Sequence, residues 1–185
     1  MSEFTQNSLR QALLAPISGG EQASRWCANT SQLALPLQTF LRKGQRHFSF
    51  SLSELGMEQG VLLQKSLLWS QVYKRQTGCP SDFAWVDLHA LPWACDGVEL
   101  VLAFDRVLPQ WGGSGQPLAE DRHVLLLLPA LLKGLIAGIR AEKCRGLQLN
   151  MTGMRVHLVD SRPSSFFRCG LQALEHLMHS NAGLL

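Results

Sequence analysis

The chain has 185 residues, of which 46% are hydrophobic and 17% charged, and its formal net charge is +3. This length suits one domain with a core large enough to need no disulfide or metal. The weak net charge argues against a dedicated nucleic-acid binder, and the low charged fraction indicates either a large core or a surface covered by a partner.

The charge is unevenly distributed along the chain. Residues 1–81 carry +4, residues 82–121 carry −6, residues 122–139 carry +2 and residues 140–185 carry +3. An acidic middle section between basic flanks suits a partner with a complementary face.

The cysteines indicate the compartment. There are five, and no two form a C-x-x-C motif: Cys27, Cys79, Cys95, Cys144 and Cys169. An odd number of scattered thiols predicts neither a disulfide framework nor a zinc site, and it fits a reducing compartment. The first 20 residues contain no apolar run of signal-peptide length, so we expect an unprocessed cytoplasmic protein.

Short helices are predicted before residue 46. They cover Phe4–Leu14, Glu21–Asn29 and a segment in which Leu33, Leu37, Phe40 and Leu41 fall at helical spacing. We expect residues 1–45 to form a helical extension packed on a single α+β domain at residues 46–185.

A strand and a helix are predicted next. Alternating apolar residues predict a strand at His47–Ser53. Ser51 and Glu54 fit a capping box, which predicts a helix from there to about Thr77. The apolar stripe of that helix comprises Met57, Val61, Leu68 and Val72.

The rest of the chain alternates strands with helices. Strands are predicted at Asp82–Leu91, Gly97–Leu108 and Leu147–Val159 (broken at Thr152–Gly153), a flexible loop at Pro109–Pro117, and a final helix at Ser164–His179. With the apolar segment discussed below as a helix, the order is β-α-β-β-α-β. This order predicts an α+β, ferredoxin-like antiparallel sheet with extra N-terminal helices and a C-terminal helix.

The most apolar segment is His123–Gly138. It is too short for a membrane span, it contains Lys133, and acids precede it while bases follow it. We therefore expect a core element of a soluble protein and no membrane span. The spacing of Gly134 and Gly138 predicts a helix that lies flat on the sheet.

Pro129 leaves two interpretations of this segment. Either one helix continues through the proline with a kink, or Val124–Leu128 is an extra strand and the helix begins at Pro129. The restriction that a proline places on the preceding residue favours the strand.

Four polar residues could share one face of the sheet. Asp87 and His89 lie two apart on one strand and therefore point the same way, while His47 and His157 lie on the first and last strands. We consider Asp87, His89 and His157 as catalytic candidates, because a His–Asp pair can orient a general base. Three histidines and an aspartate could also hold a metal, although Phe83 and Trp85 on the same face favour a purely structural interpretation.

Basic residues form a second candidate site. In the expected fold the first and last strands are neighbours, which would bring together Arg42, Lys43, Arg46, Arg155, Arg162 and Arg168. Such a patch could contact phosphates or a protein partner. Trp111, beside the glycine-rich stretch 112–115, is a candidate anchor for a partner.

No nucleophile elbow, P-loop or zinc signature is present in the sequence, and no cofactor is expected. We therefore expect a non-enzymatic interaction subunit, an adaptor or assembly component of a larger cytoplasmic complex with a protein partner. Two alternatives remain: a nucleic-acid-binding or RNA-processing protein, and a small enzyme that uses the Asp87/His89 face.

Overall fold

The computed structural model describes residues 2–15, 32–76, 81–109 and 114–182. The helices of these residues are α1 (Ser2–Leu14), α2 (Ala34–Arg42), α3 (Arg122–Ala141) and α4 (Pro163–Ala182). The strands are β1 (His47–Ser51), β2 (Val61–Leu62), β3 (Leu67–Arg75), β4 (Asp82–Pro92), β5 (Gly97–Leu102), β6 (Arg106–Pro109), β7 (Gln116–Pro117), β8 (Cys144–Arg145) and β9 (Leu147–Val156). The helix predicted at Glu21–Asn29 lies outside the described residues.

Seven strands form one mostly antiparallel sheet. Its central order is β1-β5-β9-β4-β3. β6 pairs with the last residues of β9, on the same side of β9 as β5, and β7 pairs with β6. Only β5 and β6 run parallel to β9 within this sheet, and β2 and β8 form a separate two-stranded pair. The predicted α+β class is confirmed, whereas the ferredoxin-like order is not.

The helix predicted to run to about Thr77 is wrong, because the described part of that segment forms a turn, the two-residue β2 and the nine-residue β3. Leu68 and Val72 are four residues apart, and this spacing places two side chains on one face of a helix and equally on one face of a strand. The segment around them is rich in aromatic and β-branched residues, which fit a pleated surface. Pairing of β3 with β4 along all nine residues satisfies its backbone on that side.

Ser51 and Glu54 form the predicted hydrogen-bonded pair, but the pair closes a turn and does not begin a helix. The Glu54 carboxylate accepts hydrogen bonds from the Ser51 amide (2.9 Å) and hydroxyl (2.8 Å), and these bonds hold the pKa of Glu54 below its usual value. Gly56 follows with φ +69°, a left-handed conformation that ends the turn before a helix can extend.

The sheet has one covered face and one open face. Alternate residues of β4, namely Ala84, Val86, Leu88 and Ala90, are fully buried on the covered face. Their neighbours Trp85, Asp87 and His89 are half-buried on the open face. The four helices lie on the covered side. Because successive side chains of a strand point to opposite faces, every second residue enters the core and the residues between lie on the open face.

The break predicted at Thr152–Gly153 is a β-bulge. Met151 pairs with Leu88 and Gly153 with Asp87, so Thr152 is an extra residue on β9. The extra residue resets the alternation, and as a result Met154 enters the core while Arg155 lies on the open face opposite Trp85.

The apolar segment is one helix, α3, and Pro129 lies inside it; the extra strand favoured by the sequence is not observed. The Asp121 carboxylate caps the helix by accepting hydrogen bonds from the His123 and Val124 amides. Burial of leucines on both sides of Pro129 offsets the roughly 3 kcal/mol that an interior proline costs. The helix is long and apolar enough to cross a membrane, but 72% of its apolar window is buried inside the protein, so it is a core helix.

The glycines of α3 face α4 and not the sheet, contrary to the expectation from their spacing. A Cβ on Gly134 would lie 2.1 Å from the Phe167 carbonyl oxygen, and one on Gly138 would lie 2.8 Å from the Leu174 Cβ. From the other side, a Cβ on Gly170 of α4 would lie 2.7 Å from the Leu131 carbonyl oxygen. The two helix backbones therefore touch, and only glycine fits between them.

We expect Gly134→Ala to destabilise the fold by about 1–3 kcal/mol, because the new methyl group overlaps a backbone oxygen that cannot move alone. Gly138→Ala should cost less, since its nearest neighbour, the Leu174 Cβ, would lie 2.8 Å from the new methyl group and the two helices would need to separate by less. Alanine is the better helix former by about 1 kcal/mol, so any loss reports the contact with α4. Chemical denaturation of the two variants measures the difference; a Gly134→Ala protein as stable as the parent would contradict this packing.

Candidate functional site on the open sheet face

The open face carries three of the polar residues that the sequence singled out. Asp87 and His89 lie on β4, and His47 lies on β1. His47 pairs with Val101, Val101 with Asn150, and Asn150 with His89, so the two histidines lie in one row three strand spacings apart. Three spacings amount to about 14 Å. The histidines share the face but do not converge.

Asp87 is held by its neighbours. One carboxylate oxygen accepts hydrogen bonds from the Ser70 hydroxyl on β3 and from the Trp85 indole nitrogen (2.9 Å). Gly153, opposite Asp87 on β9, leaves room for the carboxylate, because a Cβ there would lie 2.6 Å from its other oxygen. This arrangement orients the Trp85 ring and does not join Asp87 to a histidine.

Arg155 stacks on Trp85 at the centre of the open face. The guanidinium carbon lies 4.5 Å from the centroid of the Trp85 ring, a cation–π geometry. The Arg155 Nε is buried and has no hydrogen-bond partner among the described residues. Leu108 pairs with Arg155, and Val72 pairs with Trp85, so the four residues form one row across β6, β9, β4 and β3.

A second carboxylate on this face, Glu99 of β5, was missed by the sequence analysis. It accepts a hydrogen bond from Gln148 (2.6 Å), and it lies 3.1 Å from the His47 Nδ1. The partners of Glu99 come from β1 and β9, which are distant from it in the chain. No local sequence motif therefore predicts these contacts. The His47 side chain is 60% exposed, so the pair that it forms with Glu99 lies at the surface.

His157 lies apart from the face. It follows β9 in a turn, where its Nδ1 accepts a hydrogen bond from the Asp160 amide (3.1 Å). In the same turn the Ser161 hydroxyl accepts from the His157 amide and donates to the Phe83 carbonyl. His157 therefore closes the turn, and no cluster of three or more potential metal ligands occurs within the described ranges.

The basic residues do not form the patch expected from neighbouring first and last strands. β5 lies between β1 and β9, which separates Arg46 from Arg155. Arg46 donates to the carbonyls of Leu41 and Gln45 and pairs with Asp105 at 3.4 Å. Arg42 and Lys43 are exposed at the end of α2. Trp111 lies outside the described residues.

Exposed apolar side chains occur in several places. On the open face, Leu68 is 71% exposed, and Val72 and Leu108 are each 40% exposed. Elsewhere, Leu35 and Leu126 line a groove between α2 and α3, and Val61 and Leu62 line another beside the end of α4. Of these groups of described residues, only the one on the open face is combined with a tryptophan and a stacked arginine.

We expect Gly153→Ala to destabilise the protein by about 1–2 kcal/mol, since the methyl group displaces the Asp87 carboxylate from Ser70 and Trp85. Denaturation followed by tryptophan fluorescence measures the loss. Thr152→Ala, at the adjacent exposed bulge position, is the control and should change stability by less than about 0.5 kcal/mol. Equal stability of the two variants would show that Gly153 has no such steric role.

The described cysteines should differ in their reactivity towards thiol reagents. Cys95 is exposed, whereas burial raises the pKa of Cys144 and of Cys169 to about 12. A thiol reagent at pH 8, with mass spectrometry to locate the label, should modify Cys95 quickly and the buried pair only after unfolding.

The same thiols predict a pH dependence. Above about pH 9 the unfolded chain loses thiol protons that the native protein keeps, so the free energy of unfolding falls as pH rises from 9 towards 12. This slope should be smaller in a Cys144→Ala/Cys169→Ala variant. An identical slope in both proteins would contradict the raised pKa values.

No protein-family model matches the chain, and no curated protein is similar to it in sequence. The chain is similar to the crystal structure of a protein from Thermus thermophilus, with a TM-score of 0.47 and 17% sequence identity. The match covers 64% of this chain and 16% of that one, so this chain corresponds to a small part of the other protein. A likeness this weak says nothing about what the chain does.

Proposed function

We propose that the protein is a non-enzymatic interaction subunit, an adaptor or assembly component of a larger cytoplasmic complex, and that its open sheet face binds a protein partner. The observation that carries this proposal is the row formed by Leu108, Arg155, Trp85 and Val72. It places an arginine stacked on a tryptophan between two exposed apolar side chains.

Tryptophan and arginine are the residues that most often dominate binding energy, because they combine a large apolar area with directed hydrogen-bond donors. Here both are already ordered: Asp87 holds the Trp85 ring, and the ring supports the Arg155 guanidinium. A partner therefore binds without the entropic cost of immobilising them. Ser70, Asn150 and Gln148 supply polar groups around the row, as at the rim of an interface.

The other two hypotheses receive less support from the described residues. The arginines and lysine expected to contact phosphates are dispersed, and Arg46 is already paired with Asp105. For an enzyme, His47 beside Glu99 supplies a His–carboxylate pair on the open face, but none of the grooves described above reaches it.

The test is an affinity purification of the tagged protein from its own cells, with the partner quantified by mass spectrometry. Arg155→Glu and Leu108→Asp should each reduce recovery of a stoichiometric partner at least tenfold, because the first reverses the charge at the centre of the row and removes the stack on Trp85, and the second places a charge among its apolar contacts. Circular dichroism should show that both variants stay folded, since both side chains lie outside the core.

Leu35→Asp is the matched control, because Leu35 is 71% exposed on α2, away from the open face. It should leave recovery unchanged. Full recovery with Arg155→Glu, or a parent protein that purifies without any stoichiometric partner, would refute the proposal.

A further inference from the structure

We propose that the outer edge of β3 binds an extended segment of the partner that carries acidic residues at both ends, adding it to the sheet as an eighth strand. This inference rests on the proposed function and specifies the chemistry of the partner. β3 pairs with β4 on one side, and no strand of the described residues pairs with its other side. An unpaired strand edge offers a row of backbone donors and acceptors to an incoming chain.

The centre of β3 lacks the features that usually protect an edge. Proteins guard edge strands with charges, prolines, bulges or short length. Residues 67–73 contain no charge and no proline, β3 is nine residues long, and its register with β4 is uninterrupted. Leu68 and Val72 are exposed on the open face and would contact apolar side chains of an added strand.

α4 supports β3 from the covered face. The Arg168 guanidinium donates to the Tyr73 hydroxyl (2.8 Å), the Cys169 thiol donates to the Gln71 carbonyl (3.4 Å), and the His176 ring stacks on Trp69. These contacts order the strand before a partner arrives, so little is lost in fixing it on binding.

The charges at the ends of β3 are all positive. Lys65 precedes the strand, Lys74 and Arg75 end it, and residues 61–81 contain no aspartate or glutamate. On the neighbouring strand Asp82 lies opposite Arg75 and accepts a hydrogen bond from Ser165, and Asp87 accepts from Ser70 and Trp85, whereas Lys74 lies opposite Phe83. An added strand with acidic ends and an apolar centre complements this pattern.

The same charges disfavour a second copy of the chain as the occupant. Antiparallel pairing of two β3 strands about Gln71 would place Leu67 of each copy opposite Arg75 of the other, with Lys65 only two residues beyond. Like charges would then meet at both ends of the pair, which is destabilising.

The probe is a nine-residue peptide with alternating valine and threonine in its centre and two glutamates at each end. In a fluorescence-anisotropy titration at low salt it should bind at least tenfold more tightly than the same peptide with lysines at its ends. Two N-methylated forms of the glutamate peptide test the backbone pairing: one is methylated at the odd-numbered residues and the other at the even-numbered residues. Only the form whose methylated amides would face β3 should lose binding.

The variant Lys74→Glu/Arg75→Glu should reverse the preference between the two peptides. Arg42→Glu/Lys43→Glu is the matched control, because it reverses two adjacent exposed cations on α2, and it should leave the preference unchanged. Hydrogen exchange should show protection of β3 amides only with the glutamate peptide. Equal binding of the two peptides, no binding of either, binding by both N-methylated forms, or a β3-protected dimer without peptide would each overturn the inference.

Failure of this inference can be told apart from failure of the proposed function. If native partner recovery depends on Arg155 but is unchanged by Lys74→Glu/Arg75→Glu, the open face binds the partner and the edge does not. If recovery depends on neither, the proposed function itself fails.

Discussion

The close contact between α3 and α4 is the constraint on which the rest of the structure depends. Gly134 and Gly170 let the two helix backbones touch, and any side chain at either position would meet a carbonyl oxygen. α4 in turn packs on β3 and β4, while α1 and α2 pack on α3. All the helices of the described residues therefore gather on one side of the sheet, and none of them covers the opposite face.

This asymmetry explains the character of the open face. Its two carboxylates are held separately: Asp87 orients Trp85, and Glu99 accepts from Gln148 beside His47. The bulge at Thr152 places Arg155 over Trp85 on the open face. Without the extra residue, the alternation along β9 would have placed the Arg155 side chain in the core. The result is an ordered, mixed polar and apolar surface, and the proposed binding of a protein partner rests on it.

Much of the fold could be predicted because the signals were local. Asp121 caps α3 at the residue where acids precede the apolar run, and alternation placed β4 within one residue of its observed end. The failure at β3 has an equally specific cause, since the four-residue spacing of Leu68 and Val72 fits a helix and a strand alike. The aromatic and β-branched residues of the segment favour a strand, and pairing with β4, which is a non-local contact, decides between the two. The candidate site shows the same dependence on non-local contacts. The alternation within β4 identified Asp87, whereas Glu99 could be identified only from its contacts with neighbouring strands.

The sequence by itself determined the α+β class, the burial of the apolar segment and the fact that Asp87 and His89 share one face of β4, because periodicity and charge order act within one element. The tertiary structure decided which strands are neighbours, that Gly134 and Gly138 face a helix, and that His47 and His89 lie three strand spacings apart in one row. The physical reason is that strand order, helix contacts and bulges depend on residues far apart in the chain, whose mutual burial is expressed only when the core is assembled.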